Sequence, residues 1–153
     1  MANSIEEQIA ARVAALAAGV PALAGKIYRD RQDAIARADS PALLVELVDA
    51  DTSPMGGPRG PFTPIHAVDS TDVRVACVYC VRDAGWQTVA DAARVALHAL
   101  LVADTTLRGL VTATQRDRCE WKAASADLPF GYCAQIYAFK TLTRAHALDL
   151  LAT

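Results

Sequence analysis

From Asp72 to Arg82 the chain alternates at the period of two that a strand imposes. Val73, Val75, Cys77, Tyr79 and Val81 share one face, and Arg74, Ala76, Val78, Cys80 and Arg82 share the other. The second face is polar only at its ends. A strand apolar on both faces over that length is expected at the centre of a sheet, covered on both sides. The pattern then turns helical from Trp86 to Val102. Trp86, Val89, Ala90, Ala93, Leu97, Leu100 and Leu101 fall on one arc, with Gln87, Asp91, Arg94 and His98 as a narrow polar stripe beside it. The remaining face, Thr88, Ala92, Val95, Ala99 and Val102, is small and apolar. It either packs on the first helix or meets a neighbouring subunit; packing within the chain is the preferred expectation.

The same reading places the other elements. Ser4 with Glu7 is a capping box, and Ile5, Ile9, Val13 and Leu16 form a stripe, so a helix is predicted over about 5–18, stopped by Gly19 and Pro21. Lys26 to Arg29 is a short strand candidate, and Ala42 to Val48 a stronger one opened by Pro41. Residues 49–64 hold Pro54, Gly56, Gly57, Pro58, Gly60, Pro61 and Pro64, a density of breakers that excludes helix and central strand. So long a connection in a compact domain is a flexible arm or a contact surface, and Arg59 and Phe62 are its side chains suited to anchoring in a partner.

After the long helix, Asp104 opens a short turn closed by Gly109. Leu110 to Ala123 and Tyr132 to Leu142 read as a long antiparallel hairpin, Trp121 opposite the Tyr132 region. In the first of these strands Val111, Ala113, Gln115, Asp117, Cys119 and Trp121 are expected to share a face. The tail from Ala145 to Thr153 is read as a weak helical turn whose leucines need something to dock on. The order is helix, three strands, helix, two strands, with a right-handed crossover through the long helix. This predicts an α+β fold: one domain over 1–153, with a mixed, largely antiparallel sheet of about four to five strands and two main helices packed on it.

Composition narrows the function classes. The 153 residues are 53% hydrophobic and 21% charged, which is the balance of a globular chain rather than a disordered one. Net charge is −2 with no basic stripe, against a free duplex-DNA binder. No apolar run reaches the ~20 residues of a membrane span, and the N-terminus lacks the features of a secretion signal. A soluble chain made in the cytoplasm is expected.

Candidate chemistry is thin. Cys77 and Cys80 have the spacing of a redox or zinc pair, but positions three apart in a strand point to opposite faces. Cys119 and Cys133 are far apart and paired by no motif, so four reduced, core-type cysteines are expected, with no metal and no cofactor. His66, His98 and His146 are read as surface histidines with no nucleophile or carboxylate beside them. No nucleophile elbow or phosphate-binding loop is present. The chain is not expected to be an enzyme; a thiol-redox or zinc protein built on Cys77 and Cys80 is the alternative from another class.

Laid out in order, these elements resemble the tail terminator family of long-tailed bacteriophages, the small lambda-type minor tail proteins. The resemblance covers most of the chain. It rests on the N-terminal helix, the strand Ser40-Pro-Ala-Leu-Leu-Val-Glu-Leu47, the variable loop, the central strand and the helix opening at Trp86. It continues through Asp104-Thr-Thr-Leu-Arg-Gly-Leu110 and the closing Trp121, Asp127, Tyr132 and Ile136-Tyr-Ala-Phe139. It implies a virion protein, made in the host cytoplasm, that assembles as a homohexameric ring on the tail tube, halts its polymerisation and offers a joining surface to the head. Its implied partners are further copies of itself, the tail tube protein and a head-tail connector or completion protein. DNA would be only passing cargo in the lumen, and no membrane is involved. The family offers no catalytic residues to carry over. A ring interface needs two different complementary patches; the expected contributors are Ala92, Val95 and Ala99 on the helix, Arg59 and Phe62 in the arm, Arg108, and the hairpin edge. Another neck, head-completion or tail tube protein is the nearest alternative.

Overall fold

The computed structural model describes residues 3–55, 68–125, 128–144 and 147–152. Helix α1 spans Ile5–Ala17 and starts as the capping box dictates, with the Ser4 hydroxyl accepting from the Glu7 N–H at 3.3 Å. Glu7 itself is held by the two-pronged guanidinium of Arg29 at 3.0 and 2.9 Å. A short 3-10 turn at Pro21–Leu23 leads to a two-residue strand β1, Ile27–Tyr28. Next come β2 (Ala42–Pro54), β3 (Val68–Val81), helix α2 (Trp86–Ala103), β4 (Ala113–Ser125), β5 (Leu128–Arg144) and β6 (Ala147–Leu151).

The strands form one mixed sheet in the order β1-β2-β3-β5-β4, with β6 pairing β5; β1 runs parallel to β2 and the other pairings are antiparallel. The α+β reading holds, with six strands among the described residues rather than four to five. Because β5 inserts between β3 and β4, the α2 crossover joins strands that run parallel but do not touch.

Both helices lie on one face of the sheet. Val73, Val75, Cys77, Tyr79 and Val81 of β3, Leu43 and Val45 of β2, and Cys133, Tyr137 and Phe139 of β5 meet Ile9, Val13, Ala90, Ala93, Leu97 and Leu101 in a single buried core. The expectation that the central strand is covered on both sides is therefore corrected. Among the described residues no second helical layer covers the face carrying Arg74, Val78 and Cys80. The segment before β2 closes over one end of that face, where Arg82 donates to the Ile35 carbonyl at 2.8 Å. At the other end Arg74 bonds Asp49 and Asp51 of β2 at 2.8 and 2.9 Å and reaches Asp117 of β4 at 3.3 Å, strapping the sheet across β3 and β5. Small aliphatic residues flanked by such long polar ones need no second layer to satisfy their alternation.

Three further expectations change. Residues 49–54, expected in the arm, continue β2, paired with β3 as far as Pro54 opposite Asp69 after a register shift between Leu47 and Asp49. Beyond the two residues covered by β1, this edge pairs with no other strand among the described residues, and such an edge is where a strand tolerates proline. The tail is strand β6 rather than a helical turn. In β4 a bulge between Arg116 and Cys119 reverses the face pattern: Arg116, Cys119 and Trp121 face the helices opposite Tyr137, Gln135 and Cys133, while Asp117 faces Arg74 on the open side.

Candidate assembly surface

Helix α2 is divided by its neighbours into three flanks. Ala90, Ala93, Leu97 and Leu101 are buried on the sheet. Leu100 turns toward α1, so close to Gly19 that a side-chain carbon there would sit 3.3 Å from it, and Arg12 of α1 bonds Asp104 past the end of α2 at 2.9 Å. Bonds from the Arg108 N–H and the Arg12 guanidinium hold the Asp104 carboxyl below its ordinary value. The second flank is the stripe expected to be wet, and it instead leans over β4 and β5. Arg94 bonds Asp91 at 2.7 Å and Gln135 at 3.1 Å and lies 5.6 Å from the centre of the Trp121 ring. His98 contacts the Tyr137 hydroxyl at 3.1 Å with their rings stacked, so it is not the surface histidine expected. Burial, with Arg116 and Arg94 beside it, lowers its pKa.

Among the described residues the third flank has no partner within the chain. Thr88, Ala92, Val95, Ala99 and Val102 are exposed, Val95 by 59% and Val102 by 58%. The packing of this face on α1, preferred from sequence, is corrected: α1 meets α2 on the Leu100 side. The spacing along the stripe alternates four and three residues, which keeps a narrow seam on one line of a helix. The small side chains would let another element approach the helix axis closely. Of the other expected interface residues, Arg108 lies in the exposed turn beyond α2, at φ +58°, and Arg59 and Phe62 lie outside the described residues, as do His66 and His146. The structure brings Ala92, Val95 and Ala99 onto one line and leaves Arg108 off it.

More apolar surface is exposed at the sheet margins. Leu47, Val48 and Met55 follow the unpaired stretch of β2, and Leu148 and Leu150 lie on β6, all between 41% and 69% exposed. Unpaired strand edges are themselves sites where another chain can add.

The cysteines fall into two unlike pairs. Cys77 is buried under the helices and Cys80 lies on the opposite face, so their sulfurs diverge; burial pushes their thiols up to about 12 and about 11, the Glu46 charge adding to the second. Neither position favours a thiolate. Cys119 and Cys133, expected to be far apart, have their sulfurs 3.3 Å from each other. The signal that could have found them is the hairpin register, in which Cys119 falls opposite Gln135 and diagonal to Cys133. Among the described residues no three histidine, cysteine or carboxylate side chains gather as metal ligands, and no helix is long and apolar enough to cross a membrane.

No protein-family model matches the chain, and no curated protein matches it. Among solved structures it is similar to a chain of the "Virion of native gene transfer agent (GTA) particle", at 15% identity over 90% of each chain and a TM-score of 0.44.

Proposed function

We propose that this chain is a structural virion protein of the tail terminator kind: copies close into a ring that caps a tail tube and presents a surface for joining the head. The observation that carries this reading is the bare seam on α2. A helix that leans on the sheet, α1 and β4–β5 along its other flanks keeps a line of Ala92, Val95, Ala99 and Val102 in water, at a cost that burial against another copy would recover. The element order supports it through the resemblance to tail terminators.

A ring requires the seam to meet a different patch on the next copy, since seam against seam would close a two-fold dimer instead. The margin carrying Leu47, Val48 and Met55 is the complementary patch of this proposal, because it lies along β2 and exposes apolar side chains beside an open strand edge. Arg59, Phe62 and Arg108 belong to the same proposal as contacts around the ring or with tube and head.

Val95→Asp tests it. A charge at the middle of the seam loses both the burial and the desolvation balance of the contact, so the assembled mass in light scattering is expected to fall to that of one chain. Far-ultraviolet circular dichroism should be unchanged, because Val95 touches solvent and not the core. An assembly of unaltered mass would remove α2 from the interface.

A further inference from the structure

We infer that Cys119 and Cys133 form a reversible disulfide, a redox-sensitive modification site that staples β4 to β5. Their sulfurs are already 3.3 Å apart on the helix-facing side of two adjacent strands, so closure needs a further approach of about 1.3 Å to reach a bonded length near 2.05 Å. The β4 bulge between Arg116 and Cys119 lies immediately beside the pair, and an irregular ladder yields where a regular one would resist.

Access and order of reaction follow from burial. Cys119 is partly exposed and lines an open cleft of about 580 Å³ between α2 and β4, shared with Arg94, His98 and Arg116. The Arg94 guanidinium reaches its sulfur at 4.0 Å. Cys133 is fully buried, and burial together with its contact to Cys119 pushes its thiol up to about 12. Cys119 is therefore the thiol that meets an oxidant from solution. Its thiolate attacks one sulfur of a small-molecule disulfide, forming a mixed disulfide and releasing one thiolate. Cys133 then gives up its proton and attacks the Cys119 sulfur, releasing the second. Two protein thiols are oxidised, one external disulfide is reduced to two thiols, and the protons pass to those thiols or to solvent.

Cys119 and Cys133 are diagonal rather than directly opposite; diagonal neighbours sit ~7–8 Å apart, beyond the usual disulfide span, so closure draws the two backbones together at the bulge. A bond formed there is strained and readily reduced. In the reducing cytoplasm it would stay open, and in the oxidising medium outside the cell it would close. That last step rests on the virion reading; bond formation itself does not.

The test is exposure of the purified chain to oxidised glutathione, followed by thiol titration after denaturation and by peptide mapping under non-reducing conditions. The four titratable thiols are expected to fall to two, with one intramolecular link between the peptides carrying Cys119 and Cys133, restored by dithiothreitol. Cys80→Ser should leave that link intact, and Cys119→Ser should abolish it. A Val95→Asp background should form it too, so the result is independent of assembly. Persistence of all four thiols, a stable glutathione adduct on Cys119, or links only between chains would overturn the assignment.

Discussion

Phe139→Ala is expected to cost about 3–5 kcal/mol of folding stability, the usual loss for emptying a buried aromatic site. Phe139 has no solvent exposure and sits in the middle of β5, paired with Val73 on one side and Thr114 on the other. Its ring lies 6.1 Å from that of Tyr137, which in turn stacks on His98 of α2. The cavity would therefore open under the one ladder that joins both halves of the sheet, where neighbours held by long strands can collapse little. Against a total of roughly 5–15 kcal/mol, the thermal midpoint should fall by about 6–20 °C for a chain of this size. Phe139→Leu, which keeps most of the volume, should recover more than half of that. A midpoint for Phe139→Ala within a degree or two of the parent would mean that β5 is not the centre of the core.

The second large effect is expected from adding a single carbon. A Cβ on Gly131 would lie 2.7 Å from two carbons of the Trp86 ring and 2.7 Å from the Lys122 carbonyl oxygen. Trp86 is the first residue of α2 and its ring approaches the β5 backbone there, with Trp121 of β4 6.2 Å away. Neither the carbonyl, fixed in the β4 ladder, nor the ring, wedged between two elements, can withdraw cheaply. Gly131→Ala should cost about 3 kcal/mol and lower the midpoint by about 6–12 °C. The near-ultraviolet signal of the tryptophans should change as the start of α2 is pushed off the sheet. An unchanged melt and spectrum would show that the contact is looser than these distances require.

The parts of this fold legible in the sequence are those set by local chemistry. The Ser4–Glu7 box and the Gly19/Pro21 stop fix α1 to within a residue of its end, and the helical arc fixes α2 almost as well. The alternation of β3 and β5 identifies the central ladder. What the sequence hid depends on partners distant along the chain. Residues 49–54 carry turn-forming side chains, and they extend only because β3 pairs with them and Arg74 ties down Asp49 and Asp51. Leu148 and Leu150 suit a helical turn as well as a strand, and β6 forms because β5 runs past the start of β4 and leaves an open edge at Thr143. The bulge before Cys119 adds a residue that no alternation reveals, and it decides that Cys119 rather than Asp117 faces the helices.

The candidate surface was half visible. Ala92, Val95 and Ala99 stood out as a small apolar face, but whether α1 covered it was a question of tertiary placement. The Arg12–Asp104 bond and the Gly19–Leu100 contact draw α1 to the other flank and leave the seam bare. Exposure of Val95 and Val102 therefore follows from where the first helix docks.

The claim that copies close around an axis is tested most directly by native mass spectrometry of the purified chain over a range of concentrations. One discrete species is expected, at a fixed multiple of 16.2 kDa greater than two, six being the number the tail terminator reading implies. A species that stays at 16.2 kDa at every concentration, or that stops at a two-fold dimer, would contradict it.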